Sequence, residues 1–367
     1  MYLCSFGIQQ LIKMFDAYTK YNLLFGGSVT DAHKEQYAKS KQWKKDRFRN
    51  LSRTKIDINP RNLPGLIKGQ LINTKVRTPQ KPIEVQRFDR EIFEQHKNTP
   101  KFTWFGHSVL LLQIDGKNFL IDPMFGSDAS PIAPISTKRF SENTLDLIDE
   151  LPHIEAIFFT HDHYDHLDYA SIEKLKDKVD KYYTGIGLGR HLECWGVATE
   201  KITELDWWDH IQFDTIKITF VPSRHSSGRG LFDRDKVLWG GWVFQAPHHQ
   251  IYWSGDGGYD NHFKEIGKKF GAFDWAFMEC GQYNKRWHQM HMYPEESIQA
   301  SIEVNAKIRI PIHWGGFALA LHPWKESVEC FVQAAKEQNT PICTPKIGET
   351  IVFGKEPKPQ AWYQLLD

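Results

Sequence analysis

The chain has 367 residues, 41% hydrophobic and 25% charged, with a formal net charge of +1. That balance is globular, long enough to bury a core without disulfides, and gives no global electrostatic reason to expect nucleic acid as a partner. Five scattered cysteines, Cys4, Cys194, Cys280, Cys330 and Cys343, form no Cys-x-x-Cys pair, which argues against a disulfide framework or a cysteine-held zinc and for a reduced compartment.

The first residues lack a basic n-region and an unbroken apolar core, so they make a poor signal peptide. The chain also has no run of eighteen apolar residues that could form a membrane span. We therefore expect it in the cytoplasm, free or peripheral to a membrane, with the periplasm left open. Leu11, Ile12, Phe15 and Tyr18 fall at helical spacing, which suits a terminal helix packed on the domain or one lying on a membrane or a partner. Residues 33–55 are strongly basic and interleave Tyr37, Trp43 and Phe48; such a segment is either a solvated arm or a binder of anionic lipid or nucleic acid. Residues 56–100 carry Pro60, Pro64, Pro79, Pro82 and Pro100 as breakers. Residues 1–100 thus read as a helix and basic arm laid over a main domain of residues 101–367.

Within that domain, KFTWFGHSVLLLQIDGKNFLIDP reads as strands, with Asp115-Gly116 as a hairpin turn. IEAIFFT is a buried strand and residues 168–179 are helical. KYYTG, IKITFVP, VLWGGWVFQ, HQIYWSGD, DWAFMECG and AKIRIPIHW follow as strands, with helices at 260–269, 294–306 and 325–337 between them. Alternation of this kind predicts an α/β fold or a sheet sandwich with outer helices.

The 17 histidines and 13 tryptophans raise metal chemistry and a ligand groove or membrane-facing surface as themes. Trp207, Trp208, Trp239 and Trp242 suit a lipid groove or the core equally. The strand IEAIFFT runs into His161-x-His163-x-Asp165-His166. In a turn after a buried strand, side chains two apart converge, so His161 and His163 can share one ion while Asp165 and His166 reach a second. His225, Asp256 and His313 each follow a predicted strand, so all three can open onto the same sheet edge. The glycines around Asp256 would let backbone approach an ion.

The order H-x-H-x-D-H, His225, Asp256, His313 resembles the metallo-β-lactamase superfamily. GHSVLLLQIDGKNFLIDPMFGSDASP, PISTKRF, VLWGGW, SGDGGYDNHFKEIGKKFGAFDWAFMECGQY, PEESI and IPIHWGGFAL further resemble the N-acyl-phosphatidylethanolamine-hydrolysing phospholipase D family, over roughly residues 101–325. DRFRNL in the arm is similar to a segment of that family too. The resemblance implies a four-layer αββα sandwich with a dinuclear site at the top of the sheets. It implies that His161, His163 and His225 hold the first metal, that Asp165, His166 and His313 hold the second, and that Asp256 bridges. Asp122 would sit behind the ligands and fix a histidine tautomer. His291, just before Pro294-Glu295-Glu296, would serve the leaving group; His288 and His322 are other candidates. Lys138 and Arg139 could neutralise a phosphate.

These residues suit two divalent ions, zinc by resemblance, with manganese or iron also compatible with the donors. Two ions that share a hydroxide would hydrolyse an N-acylated phospholipid or related phosphodiester, with peripheral membrane association as a corollary. A lactonase acting on a sugar phosphate, and a non-catalytic lipid- or partner-binding protein on the same fold, are the competing expectations.

Overall fold

The computed structural model describes residues 18, 22–59, 61–72, 74–95, 97–130, 136–230 and 233–366. The predicted helical stretch at Leu11, Ile12 and Phe15 lies outside them. Among the described residues, no helix is long and apolar enough to cross a membrane.

Two mixed sheets stack face to face. The first comprises β1 (Lys101–Trp104), β2 (Leu110–Ile114), β3 (Lys117–Ile121), β4 (Ile154–Phe158), β5 (Val179–Gly185), β6 (Ile202–Leu205) and β13 (Thr350–Val352), in the order β13-β1-β2-β3-β4-β5-β6. The second comprises β7 (His210–Phe213), β8 (Ile216–Val221), β9 (Gly241–Gln245), β10 (Gln250–Trp253), β11 (Phe273–Glu279) and β12 (Ala306–Ile312), in the order β12-β11-β10-β9-β8-β7. The β2–β3 hairpin turns at Asp115 (φ 48°) and Gly116 (φ 75°), the left-handed pair that a tight two-residue hairpin demands.

Strand alternation explains the layers. On β2, Leu110, Leu112 and Ile114 join the core between the sheets, whereas Leu111 joins a second core under the helix Tyr169–Leu175. Between the sheets the packing is aromatic. Phe102 meets Trp275 and Phe277 edge-on at 4.9 Å each, and Phe158 meets Trp242 at 5.0 Å. Helices Pro294–Glu303 and Glu326–Glu337 bury Ile298, Val328 and Phe331 against the second sheet. The result is the expected four-layer αββα sandwich.

Several expectations need correction. Trp207, Trp239 and Trp242 are buried and Trp208 is half-buried, so of the two roles left open these rings take the core, with Trp239 also reaching the wall of a cavity. The segment 56–100 is not all irregular: it contains helices Leu63–Leu71, Thr74–Arg77 and Arg90–Glu94. Pro64 was weighed as a breaker, but it opens a helix, where its missing N–H costs nothing. The basic segment is not a free arm. Tyr37, Trp43 and Phe48 pack on one another at 5.0–5.6 Å, and Phe48 is fully buried.

Candidate metal centre

The carboxyl ends of β3, β4, β8, β10, β11 and β12 all point to one end of the sandwich, and the β1–β2 turn closes it. His107 and Trp314 pair across the two sheets there, with His107 N donating to Trp314 O at 2.8 Å and His313 N to His107 O at 2.9 Å. His107, Asp122 and His313 adopt φ of 54°, 43° and 66°. This left-handed conformation is one that His and Asp tolerate better than most residues, and it re-aims side chains just past a strand.

Two clusters form. In the first, His161 Nε2 lies 2.8 Å from His163 Nδ1, which lies 3.2 Å from His225 Nε2. In the second, Asp165 Oδ2 lies 3.2 Å from His313 Nε2, 3.5 Å from His166 Nε2 and 2.8 Å from His107 Nε2. Asp256 Oδ2 sits between them, 2.9 Å from His313, 3.1 Å from His166, 3.8 Å from His225 and 3.9 Å from His161. All of the predicted ligands therefore meet at one place.

The hydrogen bonds behind these groups show what the place needs. His166 Nδ1 donates to Asp122 Oδ2 at 2.9 Å, and Asp122 is itself fixed by Thr160 N (2.8 Å) and Thr160 Oγ1 (2.7 Å). With its hydroxyl proton given to Asp122, Thr160 Oγ1 accepts from His161 Nδ1 at 3.0 Å. His225 Nδ1 donates to Met290 O at 3.0 Å. Each of these bonds fixes a tautomer that turns an Nε2 lone pair inward, as metal-binding imidazoles require. The Nε2 atoms thus converge on a buried carboxylate.

Burial and neighbouring imidazoles hold His161 and His225 well below the ordinary histidine range, so protons cannot fill every gap. Burial would raise the Asp256 carboxyl, but His166 and His313 outweigh it and hold Asp256 well below the usual carboxylate range. Asp256 Oδ1 is buried with no hydrogen-bond partner. Burial opposes it, but Asp256 and Asp165 hold His166 well above the ordinary histidine range and His313 up to about 10, so without an ion these two keep protons. Converging nitrogen and carboxylate oxygen donors fit divalent cations, which would take the place of those protons.

The glycines near Asp256 act differently from the expectation that they admit an ion. A Cβ on Gly255 would lie 2.5 Å from Gly240 O, and one on Gly258 would lie 2.2 Å from Gln289 O. They make room for neighbouring backbone, and this lets the turn carrying Asp256 seat between strands.

A cleft of about 320 Å³ opens on the clusters, with Ile56, Ile58, Trp287, Met290 and Leu319 as apolar walls. His291 lines it, with its ring 5.2 Å from that of His313 and 5.0 Å from that of His225. Its Nδ1 is hydrogen-bonded to Glu279 Oε1. Burial raises the Glu279 carboxyl while His291 pulls it down.

The expected phosphate contacts are placed otherwise. Arg139 is buried, donates to the carbonyls of Met124 and Gly126, and lies over Phe317 at 4.6 Å; its donors brace the turn after β3. His322 accepts from Gln282 N at 3.1 Å, donates to Pro323 O at 2.8 Å and stacks on Tyr283, so both of its nitrogens are engaged. Lys138 is exposed. None of the three lines the cleft. His288 pairs with Glu296 at 2.8 Å, away from the clusters.

Sequence reading missed three residues. His107 stands in a Gly-His turn like the His-Trp-Gly turn of His313, a signal that was available. Glu279 closes a strand read only as apolar. Asn50 sits in the arm but clamps a ligand: its Nδ2 donates to His225 O at 2.8 Å, and its Oδ1 accepts from His225 N at 3.0 Å and Trp239 Nε1 at 2.9 Å.

Comparison with known proteins identifies the family. A family model described as a beta-lactamase superfamily domain matches residues 117–314. Uncharacterized protein Rv0906 of Mycobacterium tuberculosis is 37% identical over 267 residues, 72% of this chain and 71% of that protein. N-acyl-phosphatidylethanolamine-hydrolyzing phospholipase D 1 of Caenorhabditis elegans is 31% identical over 264 residues, 67% of this chain and 74% of that protein. The solved structure of Igni18, a metallo hydrolase from Ignicoccus hospitalis, shares the fold with a TM-score of 0.54 at 21% identity, over 70% of this chain and 98% of that one. The chain therefore belongs to the metallo-β-lactamase superfamily, as a hydrolase of that fold related to proteins named N-acyl-phosphatidylethanolamine-hydrolyzing phospholipase D.

Proposed function

We propose that this protein is a dinuclear metal-dependent phosphodiesterase of the phospholipase D type, acting on an N-acylated phospholipid or a close relative. The observation that carries the reading is Asp256 Oδ2, which lies within 3.9 Å of imidazoles from both clusters and so can serve two ions at once. His161, His163 and His225 would hold one ion; Asp165, His166 and His313 would hold the other, with His107 against Asp165. Bound there, such ions supply Lewis acidity for phosphate oxygens and lower the pKa of water toward neutrality. Zinc suits the nitrogen-rich cluster, and manganese or iron is compatible with the carboxylate-bearing one.

The chain's own residues do the rest. Asp122, Thr160 and Met290 O fix ligand tautomers. The apolar cleft walls exclude water and accept the alkyl part of a substrate. His291, with Nδ1 held by Glu279, leaves Nε2 to hand a proton to the departing oxygen. The relatives' names favour the phospholipid over the sugar-phosphate lactone. The test is to offer metal-loaded protein an N-acyl-phosphatidylethanolamine and a lactone side by side. Release of phosphatidic acid supports the reading; lactone opening without it refutes the substrate class.

A further inference from the structure

Beside the cleft lies a second cavity, of about 540 Å³, whose wall includes Arg47, Arg49, Arg53 and Arg234. The only carboxylate in that wall is Asp235. It lies 3.7 Å from Arg234 Nε and is one negative charge against four positive ones. Among the described residues, Arg47, Arg49 and Arg53 form no ion pair, and the one side-chain hydrogen bond among them is a long one from Arg49 Nε to Lys44 O at 3.4 Å. All four arginines are exposed, so water and salt screen much of their mutual repulsion, but most of their donors remain free to meet an anion that enters the cavity.

Their backbone is not loose. Phe48, between Arg47 and Arg49, is fully buried, and its N–H donates to Asp235 O at 2.9 Å. Asn50 is clamped to His225 as described. Arg53 O accepts from Arg224 Nη2 at 3.0 Å, and Thr54 Oγ1 accepts from Arg224 Nε at 3.0 Å. The arm thus displays its arginines from fixed positions, which lowers the ordering cost of binding. The cavity also shares Ile56, His225, Ser226 and Met290 with the metal cleft, so a ligand held there lies against the same wall as the substrate.

We propose that this arginine-lined cavity is a separate binding site for a phosphate-class oxyanion, adjoining the metal centre. Guanidinium forks match tetrahedral oxyanions through paired N–H donors, where ammonium groups act as point charges. The oxyanion is either the headgroup of an anionic phospholipid beside the substrate or a free phosphate. Binding needs no turnover, so the site stands or falls apart from the phosphodiesterase reading.

The test uses the full-length protein as purified with its metals. Four forms are compared: wild type; the triple variant R47A/R53A/R234A; its charge-keeping counterpart R47K/R53K/R234K; and a control, K217A/K268A/K336A, which removes three exposed charges elsewhere. In one arm, inorganic phosphate is titrated against sodium chloride at matched ionic strength and the Tm is read. In the other, co-sedimentation is measured with vesicles of phosphatidylcholine alone and of phosphatidylcholine mixed with phosphatidic acid. A phosphate-dependent Tm rise in wild type and control that the alanine triple lacks supports the site with free phosphate as its source. Roughly hundredfold weaker binding of the alanine triple to phosphatidic acid vesicles, with the control near wild type and the lysine triple between, supports the lipid source. If neither arm separates wild type from the alanine triple, the proposal is overturned, because any remaining binding belongs to the metal centre. An equal loss in the lysine control overturns it too, since only net charge would then matter. Should the alanine triple fail to fold, R53A alone replaces it, because no side-chain hydrogen bond holds Arg53.

Discussion

At the end of the sandwich opposite the metal centre, His249, Asp274 and Lys307 also meet where strands begin. There Asp274 accepts from Lys307 Nζ at 2.8 Å and from Gln250 N at 3.0 Å, with His249 Nδ1 at 3.3 Å. Its charge is cancelled by an ammonium that reaches into water. At the metal end, among the described residues, Asp165 and Asp256 pair with imidazoles alone, and no lysine or arginine lies within ion-pairing distance of either. Histidine beside carboxylate occurs at both ends. The metal end is distinguished by burial, by the lack of a lysine or arginine partner among the described residues, and by Nδ1 atoms anchored so that Nε2 atoms face inward.

The largest expected effects separate the two ends outright. His163→Ala and Asp256→Asn should each lower turnover by more than about a hundredfold, the upper end for residues that only support ligands, while circular dichroism shows a folded protein. Asp274→Asn should leave turnover and metal content unchanged at a stability cost of about 1 kcal/mol. Equal losses at both ends would erase the contrast. Next in size, Asp122→Asn removes the acceptor that fixes His166 and should cost about tenfold to a hundredfold in metal affinity, read by competition with a chelator. Wild-type affinity would show that Asp122 only braces Thr160.

Asn50→Ala leaves His225 N–H and part of Trp239 without partners. It should cost about 1–3 kcal/mol of stability and lower metal affinity, whereas a loss of stability alone would limit Asn50 to a structural role. The smallest effect belongs to the far end. Burial lowers Lys101 to about 8 from its ordinary 10.5. Between those values the unfolded chain keeps a proton that the folded chain has released, so stability should rise from about pH 8 to about pH 10.5. The gain is on the order of 1 kcal/mol, since Gln113 Oε1 already holds the ammonium at 2.6 Å. Lys101→Met should flatten this rise in Tm measured against pH.

Much of the fold was legible because strand signals are local. The Asp115-Gly116 hairpin, the run into His161 and the helix at 325–337 all rest on residues near one another in the chain. The helix expected over 168–179 stops at Leu175, and Val179 already belongs to β5, a boundary that periodicity does not mark. The short edge strands β6, β7 and β13 went unread because their few residues carry little pattern. The convergence of the candidate ligands was legible because each follows a strand and matches a known order. Glu279 and Asn50 were not, since each matters through a partner 12 or 175 positions away; the Gly-His turn of His107 was a signal left unused. The basic run of the arm left a solvated arm and an anionic-lipid or nucleic-acid binder both open for the same reason: only the fold shows that Arg234 joins its arginines around a cavity.

Elemental analysis of wild-type protein purified without chelator, beside Asp256→Asn and His163→Ala, tests the central claim most directly. The expected result is two equivalents of divalent metal per chain in wild type, fewer in each variant, and loss and recovery of turnover as the metal is stripped and restored. Wild-type protein that carries no metal, and whose Tm and activity ignore added zinc, manganese and iron, would contradict it.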